Sequence, residues 1–418
     1  MALTKETKVT RTTRLDGRRG LRYAMALVAT GAVLLGAGCS GDKSPSWQGG
    51  SDANGAQGGG PAESPAPPPS IVKVSSPEAG ASGVKALDLV KFTSEDMANT
   101  KVTVKDADGK EVDGETDTDK GTWTPAKGMS WGGKYTVTVS APEQEGKTTT
   151  TESTFTVMKK PSKLVKVSSF LGDNTTVGVA MPLIMRFGRS VPEKYRAEVE
   201  RRMKVTSSPS QEGTWHWYSA TEVHYRPKTF WKAGTKVSYK ADLQGVTMGD
   251  GWYGRSNLSV DIKIGRSLVM TVDNKNKRMQ VRENGKLIKT IPVSLGKKST
   301  PSSSGTMVVI EKKRHTVFDT MDELGPEEGY RTKIEYAQRM TWGGEFIHAA
   351  PWSEGVQGRS NVSHGCVNVS MAMGSWLFSR TMMGDPVTVK GTERRLAQGN
   401  GWTDWSLSWD EYKKGSAL

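Results

Sequence analysis

Cysteine is nearly missing from this chain. Its 418 residues carry two, Cys39 and Cys366, which excludes a disulfide-rich scaffold and leaves no ladder of paired Cys and His for a structural zinc site. Histidine is scarce as well, five residues in all. No apolar run suits a membrane span, since the longest, residues 24–37, is short and rich in Gly and Ala. Amphipathic helical patterns are few, and no stretch interleaves aromatics with dense Lys and Arg, so no nucleic-acid partner is expected. Gly, at 47 residues, and alternating Ser/Thr-rich segments are plentiful, which favours strands and turns and makes the expected fold class mainly β. At this length one core is not enough, and two to four domains are expected.

Seven basic residues precede the apolar run, the pattern of an export signal over residues 1–38. It ends Leu34-Leu35-Gly36-Ala37-Gly38-Cys39, which resembles a bacterial lipobox, with Gly36 standing where Leu, Val or Ile is usual. That resemblance implies lipidation of Cys39 and a tether on the outer face of the plasma membrane; the alternative is a plain secretory signal that leaves Cys39 a thiol. The Arg18-Arg19 pair leaves both the Sec and the twin-arginine routes open. Without the leader the formal charge falls from +14 to about +9, still basic and suited to an anionic envelope. Residues 39–70 are Gly, Ser, Pro and Ala with almost no large apolar side chain, a flexible linker of roughly 30 Å root-mean-square reach.

Ile71-Val72-Lys73-Val74-Ser75-Ser76 returns 93 residues later as Leu164-Val165-Lys166-Val167-Ser168-Ser169, a domain-sized repeat. Trp123-Thr124-Pro125 followed by Trp131 is echoed by Tyr225-Arg226-Pro227 followed by Trp231. Two immunoglobulin-like β-sandwiches are expected, at 71–160 and 161–265, with a short helix at 192–204 capped by Ser190. The aromatics at strand spacing, Trp215 and Trp217 among them, read as core rather than as sugar platforms. No cluster of His, Asp, Glu or Cys at ligand spacing marks these modules, which suits a spacer or wall contact.

From residue 266 the pattern changes to hairpins around Asp273-Asn274-Lys275-Asn276 and Glu283-Asn284-Gly285-Lys286, with further strands expected at 287–293 and 307–311. Residues 314–342 look less regular, a length at which loops often carry function. A strand at 344–347 delivers His348. One clear helix follows Ser370, its apolar face made by Met373, Trp376 and Leu377 and its end marked by Gly384 and Pro386. The catalytic domain is expected over 266–391, and 392–418 is an aromatic extension whose Trp402, Trp405 and Trp409 should pack back on the body.

An unpaired exported cysteine asks for a chemical explanation. A thiol attacks carbonyls well only when a base takes its proton or its surroundings favour the thiolate, and His348 and His364 are the histidines set among Gly and Ser near Cys366. Gly365 leaves room for backbone N–H groups to turn toward a developing oxyanion. The rival readings are a zinc site from His348, His364 and Cys366, a cysteine peptidase of another fold, and a wall-binding lipoprotein with a merely buried cysteine.

His348, fourteen intervening residues and then Ser363-His364-Gly365-Cys366-Val367-Asn368 is similar to the signature of the L,D-transpeptidases with a YkuD-type catalytic domain. The surrounding Ile347-His348-Ala349-Ala350-Pro351-Trp352-Ser353 and the run from Thr300-Pro301 to Gly305 resemble actinobacterial lipoprotein members with tandem immunoglobulin-like domains. The resemblance implies that Cys366 attacks a peptidoglycan stem tetrapeptide, releases D-Ala and passes the acyl group to a side-chain amine, forming 3→3 cross-links in wall biogenesis. Attachment of a wall protein by the same chemistry is an alternative product. It further implies His348 as general base and acid, N–H groups of His364, Gly365 and Cys366 as the oxyanion hole, and Tyr330, Gly343, Gly344, Asn368 and Trp352 as substrate contacts. Acylation by carbapenems belongs to the same expectation. Ser commonly follows the histidine in that family, and here Ala349 does, so a backbone carbonyl is the expected orienter. No cofactor and no metal are expected, and the chain is expected to be a monomer.

Overall fold

The computed structural model describes residues 72–142, 147–319, 321, 325 and 331–418. The leader, Cys39, the linker and Tyr330 lie outside the described residues.

Two sandwiches share one topology. In the first, Lys73–Ser76, Val90–Thr93, Thr122–Pro125 and Gly114–Asp117 form one sheet in that order, and Ala81–Val84, Thr148–Val157, Lys134–Pro142 and Lys101–Asp106 form the other. In the second, Val167–Ser169, Leu183–Phe187, Glu222–Pro227 and Gly213–Ser219 face Thr175–Val177, Leu258–Ile264, Lys236–Ala241 and Met203–Ser208. The Val-Ser-Ser end of the sequence repeat thus begins the same sheet in both copies. Alternation buries Val104, Val137 and Phe155 in one core and Leu183, Trp215 and Tyr239 in the other. The aromatic echo also has a structural basis: Gly114 faces Trp123 and Gly213 faces Tyr225, the nearest ring atoms standing 2.3 Å and 2.4 Å from where a Cβ would be. Each ring lies across its neighbouring strand because that glycine has no side chain.

The inserted helix is shorter than the sequence suggests, Glu193–Arg201, and Ser190 does not cap it. Pro192 occupies the cap position at φ −59°, ψ 148°, and makes no side-chain cap bond because its ring carries no oxygen to accept one. Trp123, Trp215, Trp217, Tyr225 and Trp231 are buried, while Trp131 is partly buried and packs edge-on to Tyr253.

Beyond residue 266 a six-stranded sheet runs in the order Lys286–Pro292, Arg278–Glu283, Leu268–Asp273, Pro386–Lys390, Ser303–Val308, Arg394–Arg395. A four-stranded sheet of Glu311–Asp319, Arg331–Arg339, Phe346–Ala349 and Val367–Val369 accompanies it, with Met270, Val281, Leu295, Ile347, Val367 and Leu377 in the shared core. The strand expected at 307–311 is in fact the junction between the sheets: Val309 bonds to Asp385 and Ile310 to Arg339, so the chain changes sheet there. Among its described residues the segment 314–342 is mainly strand: Glu311–Asp319 pairs with Arg331–Arg339 as a long hairpin, whose outer strand is an edge carrying exposed Lys313, Arg314 and His315. Those charges mask the period-2 pattern and keep the open edge from pairing with other chains. Helix Met371–Arg380, capped by Ser370 through Met373 N–H, packs against this sheet.

Residues 402–418 fold back, chiefly on the second sandwich. Trp402 is buried edge-on to Phe170, Trp405 Nε1 donates to the Ala180 carbonyl at 2.7 Å, and Arg226 lies over the rings of Trp405, Trp409 and Tyr412. A buried polar cluster ties the two together. His224 bonds through Nδ1 to Asp404 at 2.9 Å and through Nε2 to Glu222 at 3.0 Å, and Tyr412 donates to Asp404 at 3.1 Å.

Candidate active site

The strands Phe346–Ala349 and Val367–Val369 pair in parallel with His348 opposite Asn368, which brings the histidine strand beside the strand that follows Cys366. The turn before it is held by its own polar groups. Ser363 Oγ donates to the Cys366 carbonyl at 2.7 Å and accepts from the Gly365 N–H at 3.1 Å, and Ser302 Oγ donates to the Gly365 carbonyl at 2.7 Å. Gly365 sits at φ +127°, open only to a residue without a Cβ. Lys297 N–H to the Ser363 carbonyl at 2.8 Å and Ser363 N–H to the Leu295 carbonyl at 3.0 Å fasten the turn from the other side.

His348 is 3% exposed and Cys366 8%. His348 Nδ1 donates to the Ala349 carbonyl at 2.8 Å. A carbonyl can only accept, so the second nitrogen, Nε2, is left as the basic one. Burial pushes the imidazole down to about 4 against the weaker upward pull of that bond. Burial also pushes the Cys366 thiol up to about 12; the Phe346 N–H and Arg339 favour its thiolate, and Glu345 opposes it. The resting pair is therefore neutral thiol and neutral imidazole. The thiol points to the Gly344 carbonyl, 3.7 Å from the sulfur.

Cys366, His348, His364, Asn368 and Trp352 all line one pocket of about 480 Å³, with Phe318, Ile334 and Val362 as its apolar wall. Phe318 meets His348 edge-on at 5.4 Å, and Trp352, 60% exposed, stands 6.0 Å from the imidazole at the mouth. Asn368 donates through Nδ2 to Ser353 Oγ at 3.2 Å, while its buried Oδ1 has no partner among the described residues. Gly343 lies nearby, but its N–H already donates to Asn400 Oδ1 at 2.7 Å. Among the described residues no group of His, Cys, Asp and Glu is arranged to hold a metal ion.

Several contributors escape a reading of the sequence. Phe318 and Ile334 come from the hairpin that looked irregular. Glu345 immediately precedes the strand that carries the histidine and is 5% exposed, its carboxylate held by Ser303 N–H at 3.1 Å, Ser303 Oγ at 2.7 Å and the Arg394 guanidinium. The available signal was a lone charge between Gly344 and the apolar Phe346-Ile347 pair.

A family model described as a bacterial Ig domain matches residues 81–247, and one described as an L,D-transpeptidase catalytic domain matches residues 267–389. L,D-transpeptidase 2 of Mycobacterium tuberculosis is 33% identical over 342 residues, covering 81% of this chain and 83% of that protein. L,D-transpeptidase 5 of the same organism is 33% identical over 362 residues, covering 84% of this chain and 78% of that protein. A solved L,D-transpeptidase from Mycobacterium smegmatis is 29% identical with a TM-score of 0.45, covering 54% of this chain and 99% of that one.

Proposed function

Since the chain belongs to the L,D-transpeptidase family, we propose that it cross-links peptidoglycan stem peptides through a thioester on Cys366. The observation that carries this reading is the Nδ1 bond of His348 to the Ala349 carbonyl, which leaves Nε2 basic in the pocket that Cys366 also lines.

The chemistry follows in two acyl transfers. As the sulfur attacks the carbonyl between the diamino acid and the terminal D-Ala, its proton passes to His348 Nε2. The amide C–N bond breaks, D-Ala leaves with that proton on its amine, and the acyl group stays on sulfur. A neighbouring stem's side-chain amine then attacks the thioester, loses its proton to His348 and forms the 3→3 link, and the thiol is restored. Backbone N–H groups around His364, Gly365 and Cys366 stabilise the oxyanion, the Gly365 N–H by exchanging Ser363 Oγ for the substrate oxygen. The unpartnered Asn368 Oδ1 takes a stem-peptide N–H, and Trp352 covers the apolar part of the stem. Gly343 and Gly344 line the donor side. The enzyme acts outside the cell, exported by its leader and tethered through lipidated Cys39.

Intact-mass measurement after incubation with a carbapenem tests the nucleophile. One adduct is expected, on the Cys366 peptide and absent from Cys366→Ala; no adduct on a folded protein would sink the reading. Muropeptide mass spectrometry of cells carrying either form tests the product, with 3→3 dimers lost in the variant.

A further inference from the structure

Glu345 is a carboxylate buried beside a residue that has to become an anion. Its backbone runs round the nucleophile: the carbonyl before it, of Gly344, accepts from the Cys366 thiol, and the N–H after it, of Phe346, favours the thiolate. Every polar group of Glu345 is engaged. Its N–H donates to Thr341 Oγ1 at 3.0 Å, its carbonyl accepts from Met340 N–H at 2.9 Å, and its carboxylate takes Ser303 and Arg394. A methyl group on Gly365 would lie 3.7 Å from both Glu345 Cγ and Arg394 Nη2, so the ion pair backs directly onto the turn that presents the sulfur. Arg394 comes from a two-residue strand paired in parallel with Ser303 and Ser304, beyond the expected end of the catalytic domain.

We propose that Glu345 and Arg394 are a positioning pair for the nucleophile, clamping the peptide arc around the Cys366 sulfur and balancing the charge that the sulfur meets. The inference rests on Cys366 being the nucleophile. One consequence separates it from a merely structural bond. Glu345 opposes the thiolate, and on the proposal the Arg394 guanidinium bonded to its carboxylate offsets that charge, so removing one partner has the opposite effect from removing the other. The remaining charged and titratable groups facing the sulfur are His348 on the adjacent strand, His364 in the turn and Arg339 on the hairpin. They are common to every variant below.

The test is the pH dependence of Cys366 alkylation by iodoacetamide in the full chain, read on the Cys366 peptide by mass spectrometry so that Cys39 does not contribute. At one alkaline pH below the midpoint, Glu345→Gln is expected to react about tenfold faster than the native protein and Arg394→Gln about tenfold slower, a shift of about one unit each way. Arg394 is half exposed but its partner Glu345 is buried, so rates are compared only for variants whose melting curves show a folded protein, and the charge reversal Arg394→Glu should slow the reaction further than Arg394→Gln. If the two partners move the profile in the same direction, or if Arg394→Glu leaves it unmoved while melting curves stay native, the proposal is overturned. Alkylation needs no transpeptidation, so a native protein that alkylates normally but takes no carbapenem would count against the proposed function and not against the pair.

Discussion

The imidazole of His348 is oriented by the backbone of the very next residue, Nδ1 to the carbonyl of Ala349 at 2.8 Å. The Ala349 side chain does something else: it packs under helix Met371–Arg380, where a Cβ on Gly374 would stand 2.9 Å from its own. Tautomer and side-chain identity are therefore separated at this position. His348→Gln is expected to slow carbapenem acylation by about 10²–10⁴-fold, the range for losing a positioned base. Ala349→Ser, which keeps the carbonyl, should change the rate less than about fivefold. Time-resolved intact mass measures both. A large loss in Ala349→Ser would mean that the carbonyl is not the orienter.

Burial of His348 has a consequence for the acid limb of the reaction. Because the imidazole is held down to about 4, it stays neutral and able to accept a proton well below the ordinary histidine range. Carbapenem acylation should persist from neutral pH to about pH 5 and fall only near pH 4. An acid limb near 6.5 would instead show a solvated, unperturbed base.

How much of this was legible beforehand depends on the range of the interaction. The tandem sandwiches announced themselves because each repeats a strand pattern that local alternation makes visible. The histidine and cysteine were visible because both sit on short, tightly specified segments. The hairpin Glu311–Asp319 with Arg331–Arg339 was hidden by its exposed charged edge, and with it went Phe318 and Ile334, two of the three residues of the apolar pocket wall. Glu345 with Arg394 and His224 with Asp404 are 49 and 180 residues apart, pairs that only the closed fold brings together. Nothing periodic in the sequence records them.

The buried His224 cluster should give stability a characteristic pH dependence. Burial alone would lower the His224 pKa, but Asp404 and Glu222 outweigh it and hold the group up at about 9. Its folded value exceeds its unfolded value of about 6.5, so the contribution is complete below 6.5 and is lost as pH rises through 9. Glu222 has the opposite sign: its bond from His224 holds it at about 2, against desolvation, and its contribution disappears as pH falls through that value. The unfolding free energy of His224→Gln, from denaturant melts, should lie furthest below native between pH 5 and 6, by roughly 3 kcal/mol, and the gap should close toward pH 10. A gap independent of pH would mean that packing, not charge, is what the substitution removes.

Removal of everything after Gly391 should affect both stability and chemistry, and single substitutions should pull the two apart. The deleted segment contains Trp402 and Asp404, which anchor it to the second sandwich, and also Arg394 and Asn400, which reach Glu345 and the Gly343 N–H. Trp402 is 1% exposed, so Trp402→Ala is expected to cost about 3–5 kcal/mol while leaving the Cys366 alkylation profile unchanged. Asn400→Ala should do the reverse, barely moving the melting temperature but freeing an N–H at the donor side and altering KM for a tetrapeptide stem more than kcat. Loss of stability without any change in thiol reactivity or KM on full truncation would confine the extension to packing. The bonds from Arg394 and Asn400 argue that it is instead part of the wall that the nucleophile leans on.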